Sequence, residues 1–353
     1  MLYKTDNPHG GDIYGGGIRL DFSSNVNPLG APESVIEAVR LASKRIHLYP
    51  DPYCRALRAA LAEYEKASED HIICGNGASE LIYAYCSALS PRTAVMPAPT
   101  FSEYERALMR EGCAVFRYVF SRENDFALDA GFLDFVREKR PDAVFLCRPN
   151  NPTGRLSDEG LIKEILKLTK SLGAALFLDE CFLDMTDSGR SFAEYASEYL
   201  NMFVLKAFTK NFGMAGLRLG YAITSDSKLL SKMSYETQPW NVSTVAQEAG
   251  AAALREGEFL EKTRRLIKTE RAWLKKRLEG LRFYVCPSDA NFLLFYGKTG
   301  LHTSLRRCGI AIRDCSGFFG LGEGWYRISV RTHEENEALI CAIREVLKEN
   351  GHG

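Results

Sequence analysis

The sequence predicts an α/β protein: a large unit built on a mostly parallel sheet, followed by a smaller α+β unit. Three observations predict it. Short, near-continuous apolar runs alternate with helical stretches up to about residue 245. Those runs end on polar or turn residues, as strands buried on both faces do. Beyond residue 245 a long charged helical stretch gives way to short strands and a final helix. A length of 353 residues suits about two domains.

Taken in order, residues 1–32 are rich in Gly, Pro and Asn and read as an arm. Ala31–Ser43 reads as a helix with Pro at its start. TAVMPAP around Val95, Ala143–Cys147 and Ala174–Leu178 read as buried strands. Between the last two, Asp158–Ser171 carries Leu161, Ile162, Ile165, Leu166 and Leu168 at helical spacing. Met202–Leu205 and Leu219–Ile223 continue the strand series. Ala246–Gly280 reads as one long helix, followed by strands at Arg282–Val285, Asn291–Phe295, Ile310–Arg313 and Trp325–Val330. A last helix runs from about Glu334 to Glu349. The chain thus divides into an arm (1–32) packing with the small domain, a large domain (33–245) and a small C-terminal domain (246–353).

Composition excludes several classes. Forty-five Lys plus Arg against 45 Asp plus Glu give no electrostatic reason to expect nucleic acid or an anionic membrane. An apolar content of 46% with 25% charged residues is that of a folded chain. No run approaches the ~18 apolar residues of a membrane span. The opening residues lack the apolar core of a signal peptide, so a cytoplasmic protein is expected. The ten cysteines form no CxxC pair and the six histidines no ligand spacing, which predicts reduced core thiols and no metal site.

In an open parallel sheet ligands sit at the carboxyl ends of the strands. Four polar clusters follow the predicted strands there: GNGASE (Gly75–Glu80), RPNNPTG (Arg148–Gly154), Asp179 with Glu180, and Lys210 leading into NFGMAGLRLGY. Gly77, Ala78 and Ser79 open a helix, whose free N–H groups and dipole favour an anion. Arg218 adds a bidentate contact to the same anion. Lys210, in a small-residue loop, is placed to form a Schiff base with a carbonyl. Asp179, at a buried strand end, needs a cationic partner to stay ionised. The four describe one ligand with a phosphate, an aldehyde and a protonatable ring nitrogen.

This run of motifs resembles the fold-type I, aspartate-aminotransferase-like enzymes that use pyridoxal 5′-phosphate. It extends from SSNVNPLG (Ser23–Gly30) to RISVRTHEEN (Arg327–Asn336). The resemblance implies a seven-stranded, mostly parallel sheet in the large domain. It implies that Lys210 binds the cofactor aldehyde and shuttles protons, while Asp179 pairs with the ring nitrogen. Asn151 would bond the ring hydroxyl oxygen and Phe101 stack on the ring. Gly77, Ala78, Ser79, Thr209 and Arg218 would hold the phosphate. Tyr49 resembles the tyrosine that reaches the neighbouring subunit's phosphate, which implies a homodimer with shared active sites. Arg327 matches the arginine that binds a substrate carboxylate. Two positions depart from the common pattern: Ala207 replaces a Ser, removing one phosphate contact, and Phe182 replaces a Tyr, removing a donor to the ring oxygen.

Two branches of the family compete, histidinol-phosphate aminotransferase and the threonine-phosphate decarboxylase of cobalamin biosynthesis. HGGDIYGGG (His9–Gly17), DFSSNVNPLG, PTFSEYERAL, DECFLDM, TQPWNVS and SVRTHEEN resemble the decarboxylase more. The leading expectation is decarboxylation of L-threonine O-3-phosphate; the alternative is transamination of histidinol phosphate or an aromatic amino acid with 2-oxoglutarate. Arg327, Arg313, Arg331, His9 and Asn27 are the expected substrate contacts, the substrate being a small phosphorylated amino acid.

Overall fold

A computed structural model describes residues 9–14, 16–196 and 198–349. Residues 1–8 of the arm, and Gly15 within the run His9–Gly17, lie outside the described residues.

The strands, in chain order, are β1 (Leu20–Asp21), β2 (Ile72–Gly75), β3 (Thr93–Ala98), β4 (Ala114–Val119), β5 (Ala143–Cys147), β6 (Ala175–Asp179), β7 (Met202–Ala207), β8 (Gly220–Ile223), β9 (Tyr284–Val285), β10 (Phe292–Tyr296), β11 (Ile310–Ala311), β12 (Arg313–Asp314) and β13 (Trp325–Ser329). Seven form the large sheet, in the order β2-β8-β7-β6-β5-β3-β4. It is parallel except for β8, which runs antiparallel to both β2 and β7. The smaller antiparallel sheet has the order β12-β13-β10-β9. The arm joins it at one remove, because β1 pairs with β11 and Phe22 packs beside Leu293, Ile328 and Ile343.

Alternation along the strands builds two cores, one on each face of the large sheet. Val144, Leu146, Leu176, Leu178 and Val204 point to one face. Phe145, Phe177 and Phe203 point to the other, where their rings stack at 4.7 and 5.3 Å. Burying each such side chain contributes roughly 1.5–3 kcal/mol. Residue parity carries this second face on to Asp179 and Ala207 at the strand ends. The helices Ala78–Leu89 and Ser102–Arg110 cover it with Leu81, Ile82, Tyr85, Tyr104 and Leu108.

Two sequence expectations change. The stretch Ala246–Gly280 is two helices, Thr244–Ala253 and Gly257–Gly280. The first, capped by the Ser243 hydroxyl on Ala246 N–H, buries small residues, Ala249, Gly250 and Ala253 among them. The second is amphipathic, and the chain leaves helical geometry at Glu256 to turn from one packing surface to the other. The strand expected over Ile310–Arg313 divides at Ile312: β11 pairs with the arm and β12 with β13. A single apolar run here serves two partners, which periodicity alone does not reveal.

Candidate active site

A cavity of about 420 Å³ opens at the carboxyl ends of β5, β6 and β7. Its walls include Ala78, Ser79, Phe101, Asn151, Asp179, Thr209, Lys210, Arg218, Arg313, Arg327 and His9, with residues from each of the four polar clusters that follow the predicted strands.

One end is built by the loop Gly75–Gly77 and the helix it opens. Gly77 caps that helix at φ +80°, a conformation that favours glycine. A Cβ there would lie 2.5 Å from Arg218 Nη2, so Gly77 lets the guanidinium approach the helix terminus. A Cβ on Gly220 would meet Ala78 N at 2.6 Å, so the two backbones touch as well. Glu80 fixes the loop: its carboxylate accepts from Asn76 N–H at 2.7 Å and from Asn241 Nδ2 at 2.6 Å. The free N–H groups of the first helical turn and the Ser79 hydroxyl are left for an anion.

Asp179 lies at the floor, 5% exposed. Its carboxylate accepts from Tyr104 OH at 2.5 Å and from Cys181 N–H at 2.8 Å. No protein cation stands within ion-pair distance of it among the described residues. Burial pushes its pKa up against those two bonds. A buried acceptor with this deficit fits the protonated nitrogen of a ring.

Lys210 sits on a single helical turn, Phe208–Asn211, rather than in the open loop its glycine-rich sequence suggested. Burial, with Arg327 and Arg218 nearby, lowers its amine from 10.5 to about 8. A larger fraction of it is therefore neutral and nucleophilic near pH 8.

The opposite wall is cationic. Arg327 is 7% exposed, its Nη1 on Asn151 Oδ1 at 2.5 Å and its Nη2 on the Ser23 carbonyl at 2.7 Å. Its Nε has no hydrogen-bond partner among the described residues. Arg313 faces it directly across the β12–β13 ladder. Burial lowers the Arg327 pKa to about 10, and Arg313 adds to the effect. Asp314, the residue after Arg313, accepts from Ser316 N–H and Oγ. At the cavity mouth His9 meets Glu103 at 2.9 Å and Phe101 at 5.8 Å between ring centres.

Four expected residues do not line this cavity: Gly77, which acts behind it by clearing space for Arg218, and Asn27, Arg331 and Tyr49. Asn27 is buried, with Nδ2 on the Asn211 carbonyl and Thr263 Oγ1. Arg331 Nη2 bonds Glu335 at 2.8 Å. Tyr49 is 80% exposed and packs on Trp240, 4.7 Å away. Conversely, Ser23, Ser24, Asn25, Glu103, Tyr104, Cys181 and Phe318 line the cavity without having been singled out. Tyr104 carried a usable signal, because it stands one helical turn beyond Phe101.

Asp179 without a protein cation, the lysine with a lowered pKa and the glycine-cleared cradle match the nitrogen, aldehyde and phosphate of pyridoxal 5′-phosphate. Fold and site together define a pyridoxal-phosphate-dependent enzyme. The chain belongs to the aminotransferase class I and II family, whose model matches residues 18–343. It is 35% identical over 341 residues to threonine-phosphate decarboxylase of Salmonella typhimurium, covering 93% of this chain and 91% of the relative. It is also 35% identical over 331 residues to histidinol-phosphate aminotransferase 2 of Archaeoglobus fulgidus, covering 93% of each. The solved histidinol-phosphate aminotransferase of Clostridium acetobutylicum superposes with a TM-score of 0.86 at 30% identity, over 94% of this chain and 99% of that one.

Proposed function

We propose that this enzyme decarboxylates L-threonine O-3-phosphate to (R)-1-aminopropan-2-yl phosphate, working as a homodimer. The observation that carries the phosphorylated-substrate part of this reading is the pair Arg313 and Arg327, placed opposite each other on one cavity wall; decarboxylation rather than transamination follows the motifs that resemble the decarboxylase branch. Two guanidinium groups so close repel, and an anion between them relieves the repulsion. A phosphate carries about −1.5 to −2 charges near pH 7, more than a carboxylate supplies. The similarity to the Salmonella decarboxylase supports the same substrate class.

When bound, the cofactor supplies a conjugated electron sink for the pair left at the substrate Cα as CO2 departs. Every other task falls to side chains. Asp179 holds the proton on the ring nitrogen, a charge-assisted bond worth roughly 1.5–3 kcal/mol. The first turn of Ala78–Leu89, Thr209 and Arg218 hold the cofactor phosphate, and Phe101 covers the ring. Arg313 and Arg327 would take the substrate's own phosphate, so that remote binding energy orients the carboxylate for departure. Arg327 is held by hydrogen bonds to Asn151 and the Ser23 carbonyl, which supports a fixed phosphate-binding role for it. Lys210 then delivers a proton to Cα.

The homodimer is supported by large apolar side chains at the surface beside the cradle. Ile46, Leu48, Tyr49 and Tyr53 are all exposed, and Tyr49 rests on Trp240, next to the Asn241 that fixes Glu80. Tyr49 reaching the partner's phosphate site accounts for its exposure here.

The second reading, transamination of histidinol phosphate, is favoured by the equal identity to the Archaeoglobus relative. The same arginine pair would take that substrate's phosphate. The test offers the purified holoenzyme threonine phosphate, then histidinol phosphate with 2-oxoglutarate. Released CO2 is the expected result. Glutamate without CO2 overturns decarboxylation in favour of transamination. A protein that stays colourless after cofactor is added refutes both.

A further inference from the structure

Beneath the site, on the sheet face opposite the cavity, lies a buried charge cluster that none of the roles above uses. Lys206, on β7, is 2% exposed. Its Nζ is 2.7 Å from Glu65 Oε1 and 3.3 Å from Asp184 Oδ1. Glu65 also accepts from Tyr221 OH, on the strand paired with β7. Asp184 Oδ2 accepts from Asn211 Nδ2 at 2.7 Å, and the Asp184 carbonyl accepts from Arg264 Nη1 at 3.2 Å. Burial opposes the Lys206 charge, but Asp184, Glu65 and Glu180 outweigh it and push the amine up.

Asn211 is the residue after Lys210 and ends the same helical turn. Its carbonyl accepts from Asn27 Nδ2 at 2.7 Å. The Asn27 backbone N–H in turn donates to the Lys210 carbonyl at 3.0 Å. The catalytic turn is therefore gripped from both sides: by Asn27 of the arm on its backbone, and by Asp184 through the Asn211 side chain. Asp184 also belongs to the short turn Leu183–Met185, directly after Phe182 of the cavity wall.

We propose that Lys206 and Asn211 are positioning residues: the buried chain Glu65–Lys206–Asp184–Asn211 sets the placement of Lys210 from the far side of the sheet. Three separate elements meet at one ammonium. A displaced Lys206 frees Asp184, and a freed Asp184 releases the turn that carries Lys210. Mispositioning of about 1 Å at a reacting group costs on the order of 100-fold in rate.

The proposal rests on Lys210 being the lysine that binds the cofactor, but not on which reaction follows. The experiment therefore begins with borohydride reduction of the holoenzyme and mapping of the labelled residue. Asn211→Ala removes the link to the turn and leaves the ion pairs intact. Lys206→Met removes the anchor. We expect each to move the pH midpoint of the holoenzyme's visible absorbance by about half a unit or more. We expect kcat to fall about tenfold while KM stays within about twofold, because the substrate's anionic groups are held by the opposite wall. The double variant should move no further than either single one, since both cut the same chain. If Lys206→Met does not fold, Asn211→Ala alone decides. A label on Lys210 with an unmoved midpoint and kcat in Asn211→Ala overturns the proposal and leaves the proposed function standing. A label on another residue overturns both.

Discussion

Replacing Arg313 by alanine tests the cationic wall most directly. Arg313 faces Arg327 across an antiparallel pair of strands, where directly opposed Cβ atoms lie about 4.5–5.5 Å apart. Its guanidinium also lies 5.6 Å from the centre of the Phe318 ring, which keeps it at the cavity wall. A charge-assisted hydrogen bond to the substrate phosphate contributes roughly 1.5–3 kcal/mol. Losing it should lower kcat/KM for a phosphorylated substrate about 10- to 150-fold. The sign for an unphosphorylated amino acid is different. Arg313 destabilises the charged form of Arg327, so its removal relieves that repulsion. The unphosphorylated analogue should be unaffected or slightly favoured. The assay is kcat/KM for threonine phosphate and for threonine, wild type against Arg313→Ala, at one ionic strength. Equal losses for the two substrates would refute the assignment of this wall to phosphate.

Two further outcomes follow from buried charges. The Lys210 amine titrates near 8 in the folded protein against 10.5 in the free side chain. Between those values the unfolded chain binds a proton that the folded one does not, so stability rises with pH across that window. Without cofactor, the thermal midpoint should therefore gain from pH 8 to 10.5 in wild type relative to Lys210→Met; matching slopes would contradict the lowered pKa. Arg148, 1% exposed, donates to the Ser157 and Arg190 carbonyls and lies 3.9 Å from Glu180, which is fully buried. Arg148→Ala leaves Glu180 with the Ser191 hydroxyl, the Phe192 N–H and the Lys206 charge but deprives the Ser157 and Arg190 carbonyls of their donor, and should cost about 1–3 kcal/mol in urea unfolding; an unchanged unfolding midpoint would show that those carbonyls do not depend on the guanidinium.

The sequence determined what depends on local order and residue type. The apolar run Ala143–Cys147 became β5 at the expected bounds, because a strand buried on both faces needs apolar residues at every position. The polar groups after the strands fell on one cavity, because in a parallel sheet all carboxyl ends share an edge. Lys210, Asp179 and the Gly77 cradle were legible for that reason. Tertiary structure decided what depends on partners distant in the chain. Asn27 looked like a substrate contact and instead grips the turn that carries Lys210, because its side chain points at Asn211 and Thr263. Arg331 is drawn off to Glu335 on the following helix. Lys206 gave no signal at all, since a lysine in an apolar strand is tolerable only once Glu65 and Asp184 meet it. Charges buried in a sheet obey Coulomb's law in three dimensions, and the one-dimensional pattern carries only the part of it that neighbours in sequence share.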